Sequence, residues 1–227
     1  MSIIGDKQLE QLKEVLEHIE QEVKVTLFTQ EKDCELCGPT QQMIEEISGL
    51  SDKISLSVRD LSAEADEAEK YGVDKVPALI LEGDKDYGIR FYGIPAGHEF
   101  TTLIEDIMSV SQRHHGLSDE VMSEISKVDQ PVHIQVIVSP QCPYCPQVVR
   151  SAHRFAMANE HIRSDMVESA EFSDLTEKYH VHGVPHTVIN EEHQIIGPAS
   201  EIELVREVLK AIGKEPAVGE KNGKEQK

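Results

Sequence analysis

Two stretches of this 227-residue chain, KYGVDKVPALIL at 70–81 and KYHVHGVPHTVI at 178–189, align at a shift of 108 positions. The four cysteines obey the same shift: Cys34 and Cys37 in KDCELCGP are followed 108 residues later by Cys142 and Cys145 in SPQCPYCP. Pro77 therefore matches Pro185, Val76 matches Val184 and Tyr71 matches Tyr179, and each Cys-x-x-Cys precedes its Val-Pro by the same distance. Two motifs sharing one offset point to a duplicated unit of roughly 105 to 110 residues. Two such units nearly exhaust the chain, one over 1–115 and one over 116–213, with the polar stretch SQRHHGLS at 111–118 as their join.

Both units run through the same order of elements. In the first, Leu9, Leu12, Leu16 and Ile19 recur at three- and four-residue steps, predicting an amphipathic helix with Asp6 as its N-cap. VKVTLFT (23–29) alternates like a strand, Met43, Ile44 and Ile47 give helical spacing after Cys34, and ISLSV (54–58) reads as a strand. A helix closed by Gly72 precedes strands ALILE and IRFYG and a last amphipathic helix through HEFTTLIEDIMSV. The second unit repeats this with SDEVMSEISKV, VHIQVIV, a helix after Cys142, IRSDMVE, DLTEKYHV, HTVIN, QIIG and EIELVREVLKAI. Strands alternating with helices make each unit α/β, with parallel pairing at its start, a hairpin at its end, and helices flanking a central mixed sheet. KEPAVGEKNGKEQK, from 214 to 227, reads as a disordered tail.

Composition removes several classes of function. Forty-two acidic against twenty-two basic side chains leave a formal charge of −20, a field that repels phosphate backbones and anionic lipid heads, so neither nucleic acid nor a membrane surface is an expected partner. The N-terminus lacks a basic segment followed by a long apolar run, and the chain is read as soluble and cytoplasmic. Four cysteines are too few for a disulfide-dense secreted scaffold, so paired cysteines in a reducing cytosol point to metal or catalysis.

A lone Cys-x-x-Cys leaves a metal clasp, a structural disulfide and a redox pair all open. Its setting here narrows the choice. A cysteine between a strand and a helix start has its sulfur near unpaired backbone N–H groups and the positive helix end, which favours thiolate over thiol. Cys142 is then the nucleophile, and Cys145, nearly one turn on and more enclosed, the resolving thiol. Pro143 stiffens the loop, and Pro146 suits a helix start because its missing N–H has no intrahelical acceptor. Structural zinc pairs usually sit closer in sequence and need no Val-Pro at a fixed distance, and His180, His182 and His186 are read as surface histidines; no metal and no cofactor is expected.

CPYC after a strand, with Val-Pro about forty residues on, resembles glutaredoxin and the wider thioredoxin superfamily. Two such units in one chain resemble the glutaredoxin-like protein disulfide oxidoreductases of thermophilic archaea and bacteria, over nearly all of residues 1–213. That resemblance implies a thioredoxin fold in each half, with Pro77 and Pro185 in cis and their loops facing the cysteines. It implies substrate contacts at Val184, Pro185, Pro143 and Tyr144 in the second unit and at Val76 and Pro77 in the first. It also implies protein disulfides as substrates, a flavin-dependent reductase of the thioredoxin-reductase type as electron donor, and a peroxiredoxin as a further partner.

Departures from that pattern matter. The first site reads CELC, and Asp33 and Glu35 beside Cys34 disfavour a thiolate, so this pair is expected to be the weaker. Neither VKVTLFT nor VHIQVIV carries the buried carboxylate typical of thioredoxin, and the Cys-Gly-Phe-Ser pattern of iron–sulfur glutaredoxins is absent. An alternative resemblance is to the N-terminal domain of the flavoprotein component of bacterial alkyl hydroperoxide reductase, a docking and electron-relay module that keeps only its second cysteine pair. Here the first pair is present and no Gly-rich dinucleotide fingerprint follows, so a free-standing protein disulfide oxidoreductase is the expectation.

Overall fold

The computed structural model describes residues 2–216. The first half runs α1 (Asp6–Leu16), β1 (Val23–Thr29), α2 (Cys37–Ser48), β2 (Ile54–Asp60), α3 (Ala65–Tyr71), β3 (Ala78–Glu82), β4 (Asp86–Tyr92) and α4 (His98–Gln112). The second repeats it as α5 (Asp119–Ile125), β5 (Val132–Val138), α6 (Cys145–Ala158), β6 (Ile162–Glu168), α7 (Ser173–Lys178), β7 (His186–Ile189), β8 (His193–Ile196) and α8 (Glu201–Ala211). Local chemistry accounts for several boundaries. Ser200 and Glu203 form a reciprocal capping box at the start of α8, and Gly72 ends α3 in the left-handed conformation, φ 65°. One cap departs from expectation: α1 starts after Gly5, and Asp6 lies inside the first turn, where its carboxylate favours the positive helix end without capping it. The tail expected from 214 falls, past 216, outside the described residues.

Strand β1 pairs in parallel with β2 and antiparallel with β3, and β3 antiparallel with β4. The second half repeats the pattern, with β5 between β6 and β7 and β8 outermost. The halves share one sheet: β4 pairs in parallel with β6 from Ile89↔Ser164 to Tyr92↔Val167, giving eight strands in the order β2-β1-β3-β4-β6-β5-β7-β8. Following the pairing directions along that order makes β1 and β5 parallel, so the loops that carry the cysteines leave from the same end of the sheet. Four strand positions separate them, on the order of 20 Å.

Helices cover both faces of this sheet, which is why its strands are rich in apolar residues on both sides. Leu27, Leu79, Phe91, Val136 and Phe155 belong to a core continuous across both halves, while Phe28, Tyr92, Ile137, Val167 and Tyr179 fill the opposite face. Each such side chain contributes about 1.5–3 kcal/mol on burial. A polar clasp reinforces the join. Arg163 on β6 holds Asp165 through Nε and Nη2 at 2.8 and 2.9 Å and reaches into the first half, to the Gly72 carbonyl at 2.8 Å and the Tyr92 hydroxyl at 2.7 Å. Burial works to raise the fully enclosed Asp165 carboxyl, but His133, 2.6 Å away, and Arg163 outweigh it and hold it well below the usual carboxylate range. Among the described residues no helix is long and apolar enough to cross a membrane.

Candidate active site

The strand registers build both sites. Phe28 pairs with Ala78, so Val76 and Pro77, just before β3, come beside the loop that follows Thr29 and carries Cys34. Ile137 pairs with His186, which sets Val184 and Pro185 beside the loop that follows Val138 and carries Cys142. Both Val-Pro peptides are cis. Each cysteine pair is disulfide-bonded, with Cα separations of 5.4 Å at Cys34–Cys37 and 5.6 Å at Cys142–Cys145. Both pairs thus meet their Val-Pro, bringing together the residues singled out by spacing.

At the second pair, Cys142 Sγ lies 3.6 Å from the Val184 carbonyl oxygen and accepts a hydrogen bond from the Cys145 N–H at 3.2 Å. Helix α6 begins at Cys145, with Pro146 in its first turn, and Cys145 is fully buried while Cys142 is 8% exposed. Tyr144 stands out at 61% exposure, and Pro143 is exposed beside it. The first pair is more open: Cys34 is half-buried over a buried Cys37, in a cavity of about 420 Å³ that Val76 and Pro77 also line.

The first half also contributes to the second site. His98 N–H, at the start of α4, donates to the Pro140 carbonyl at 3.0 Å. Gly97 makes this approach possible: its φ is 60°, and a Cβ there would lie 2.2 Å from the Pro140 oxygen. Gly97→Ala is therefore expected to lower stability by about 2 kcal/mol or more and to slow reduction of disulfides at Cys142 while sparing Cys34, as read by thermal unfolding and single-pair assays.

Helices α4 and α6 run alongside each other in the same direction: Pro140, before α6, meets His98, and further along the buried pair Asp106 and His153 is hydrogen-bonded at 2.6 Å. Glu99 lies two turns before Asp106 on the same face, which sets it at the level of Cys145 and Pro146, two turns before His153. It is 1% exposed, and neither carboxylate oxygen has a hydrogen-bond partner among the described residues. Burial pushes this carboxyl up to about 7, against a weaker opposing pull from the charge of His153. Searching the strands before the cysteines for a buried carboxylate overlooks it, because it comes from a helix of the other half. The signal was in the periodicity: Glu99 and Asp106 fall in phase with Leu103 and Val110 on the apolar stripe of α4.

The histidines divide. His180 and His182 are exposed, but His186, read as a surface residue, is buried on β7 with Nε2 2.9 Å from Gln194 Oε1, because strand pairing turns it inward. Among the described residues no three His, Cys, Asp or Glu side chains are grouped to hold a metal ion. A groove of about 620 Å³ lies away from the cysteines between the halves, and its arginines, Arg90 and Arg163, are already taken up by Asp86, Asp165 and backbone carbonyls.

Two thioredoxin folds joined through one sheet, each presenting a cysteine pair to a cis Val-Pro loop, define a tandem thioredoxin-fold protein of oxidoreductase type. Both halves have the fold of the thioredoxin superfamily. Residues 132–210 match the thioredoxin domain family. The protein disulfide oxidoreductase of Aeropyrum pernix is similar over 95% of this chain and 97% of its own, with a TM-score of 0.86 and 29% identity. The NTD_N/C domain of alkylhydroperoxide reductase AhpF from Enterococcus faecalis is similar over 89% of this chain and 98% of its own, at a TM-score of 0.82 and 26% identity. The corresponding alkyl hydroperoxide reductase protein of Pseudomonas aeruginosa is 31% identical over 185 residues, covering 80% of this chain and 33% of that protein. The chain spans about a third to two-fifths of the length of the curated relatives it matches.

Proposed function

We propose that the protein is a protein disulfide oxidoreductase working by thiol–disulfide exchange in the cytoplasm, in two units that meet near residue 115, with the second cysteine pair dominant. The observation that carries this reading is the Cys142–Cys145 pair at the start of α6, its Cys142 sulfur bonded by the Cys145 N–H and set against Val184–Pro185. In the reduced protein the Cys142 thiolate attacks a substrate disulfide; a Cys142–substrate bond forms and the other substrate sulfur leaves as thiolate. Cys145 then attacks Cys142, closing the protein disulfide and releasing the second substrate thiol, so two electrons pass to the substrate. Glu99, neutral or ionised near pH 7 and on the face of α4 that packs on α6, takes the Cys145 proton in this scheme. The Val-Pro backbone, with Tyr144 and Pro143 at the rim, binds extended substrate without regard to its side chains. A flavin-dependent reductase of the thioredoxin-reductase type recharges the pair, and a peroxiredoxin is one acceptor. Because the two pairs sit far apart on the sheet, each exchanges with its own substrate.

A second reading, an electron-relay module docked to a flavoprotein, draws on the alkyl hydroperoxide reductase relatives and on the chain's one-third to two-fifths coverage of their length. Reduction of insulin disulfides with dithiothreitol separates the two. Catalysis by the isolated chain is expected, falling by about nine-tenths or more in Cys142→Ser/Cys145→Ser with the remainder carried by Cys34–Cys37; no acceleration over dithiothreitol alone would sink the oxidoreductase reading. Reduction potentials of the two pairs would then fix the direction of net transfer.

A further inference from the structure

The cavity at the first cysteine pair is built from both halves. Asp33 and Glu35 flank Cys34 on its own loop, whereas Glu168 and Glu171 enter from the end of β6 and the segment after it. The latter two are fixed in place: Glu168 Oε2 accepts from the N–H groups of Ala170 and Glu171 at 2.9 and 2.8 Å, and Glu171 Oε1 from the Ile94 N–H at 2.7 Å. Gly93, at φ 88°, leaves them room, since a Cβ there would lie 2.6 Å from Glu171 Oε1 and 2.7 Å from Glu168 Cβ. No basic side chain lines the cavity, and among the described residues none of the four carboxylates is in an ion pair. Burial and the neighbouring Glu168 charge raise the Glu171 carboxyl against the opposing pull of the Ile94 N–H, and no cationic side chain in the cavity balances the carboxylates that line it. The second site has no such flanks: at the repeat shift Asp33 and Glu35 become Gln141 and Pro143.

We propose that the first cysteine pair acts on cationic protein segments, disulfides flanked by lysine or arginine, which it holds against Asp33, Glu35, Glu168 and Glu171. This rests on the redox reading of Cys34–Cys37 and adds its substrate class. A basic segment is drawn in by the field of the cavity and of the acidic surface around it. Once seated, it has a second effect: its positive charge beside Cys34 favours the thiolate that the carboxylates otherwise disfavour. Reactivity at this site is thereby made conditional on the charge of what occupies it.

Replacing Cys37, Cys142 and Cys145 with Ala leaves Cys34 as the sole thiol. The probes are two synthetic peptides, each with one cysteine held as a mixed disulfide with 2-nitro-5-thiobenzoate, flanked by lysines in one and by glutamates in the other. The Cys34 thiolate attacks the peptide sulfur, a Cys34–peptide disulfide forms, and the aryl thiolate leaves with its colour as the readout, so no outside oxidant is needed. The lysine peptide is expected to react about tenfold or more faster at low ionic strength, and the ratio to fall towards unity as salt rises to roughly 0.5 M. The Glu168→Gln/Glu171→Gln protein should lose most of the ratio at low salt. A ratio below about twofold in the parent at low salt, or one that salt leaves unchanged, overturns the proposal. If the double variant misfolds, the salt series on the parent decides alone. Insulin turnover by Cys142→Ala/Cys145→Ala protein tests the underlying redox reading separately; an inert protein refutes that reading, while the labelling ratio still decides the charge preference.

Discussion

Replacing Cys142 with Ser is expected to remove about nine-tenths or more of the disulfide-reductase activity, while Cys34→Ser leaves most of it. Two features of the structure pull in opposite directions here. Cys34 is the more exposed sulfur, half-buried against 8% exposure for Cys142, and access alone would make it the faster. Electrostatics reverses the order. Cys34 shares its cavity with Asp33, Glu35, Glu168 and Glu171, and each carboxylate disfavours a neighbouring thiolate. Cys142 has the Cys145 N–H at 3.2 Å and the start of α6 to stabilise its charge. Since the thiolate fraction multiplies every attack, a rise of one pKa unit costs Cys34 about tenfold near neutral pH. Insulin turnover with dithiothreitol, at neutral pH, compares the two single variants. Greater damage in Cys34→Ser would mean that exposure outweighs charge.

Glu99→Gln should change both the pH dependence of stability and the pace of the second exchange step. The unfolded chain holds this carboxyl at its ordinary value of 4.5, and the fold raises it to about 7. Below the unfolded value both states are protonated and the full stability is present. As pH rises from there through about 7, the unfolded chain gives up its proton while the fold retains it, and stability falls by about 3 kcal/mol. Gln keeps the shape and cannot ionise, so the difference in melting temperature between about pH 5 and about pH 8 should shrink in the variant. Asp106, whose carboxyl burial also raises, leaves a residual slope of the same sign. If Glu99 takes the Cys145 proton, release of a trapped Cys142 mixed disulfide should slow by about tenfold or more in the variant, with formation of that disulfide little changed. Equal release rates across pH would leave Glu99 a purely structural burden on the fold.

The repeat was legible because two motifs share one offset, and with it came the order of elements in each half. Hydrophobic periodicity marked Val23–Thr29 and Val132–Val138 as strands to the residue, since strands covered on both faces have little freedom in composition. The cysteine pairs and their Val-Pro partners could be matched by spacing alone, because duplication preserves spacing where it preserves little else. What the sequence could not supply was any relation between the halves. Pairing of β4 with β6 is a backbone contact that leaves no periodic mark, yet it makes one sheet of two and points both cysteine loops the same way. The same contact brings Glu168 and Glu171 to Cys34, more than 130 residues away in sequence, and packs α4 on the Cys142 loop through Gly97. His186 reads as a surface histidine and Glu99 as one more residue of an amphipathic helix, and only burial in the tertiary fold gives one its inward turn and the other its raised carboxyl. Composition and spacing are local to a chain, whereas the electrostatics of a site depend on which distant groups the tertiary fold brings within a few ångströms.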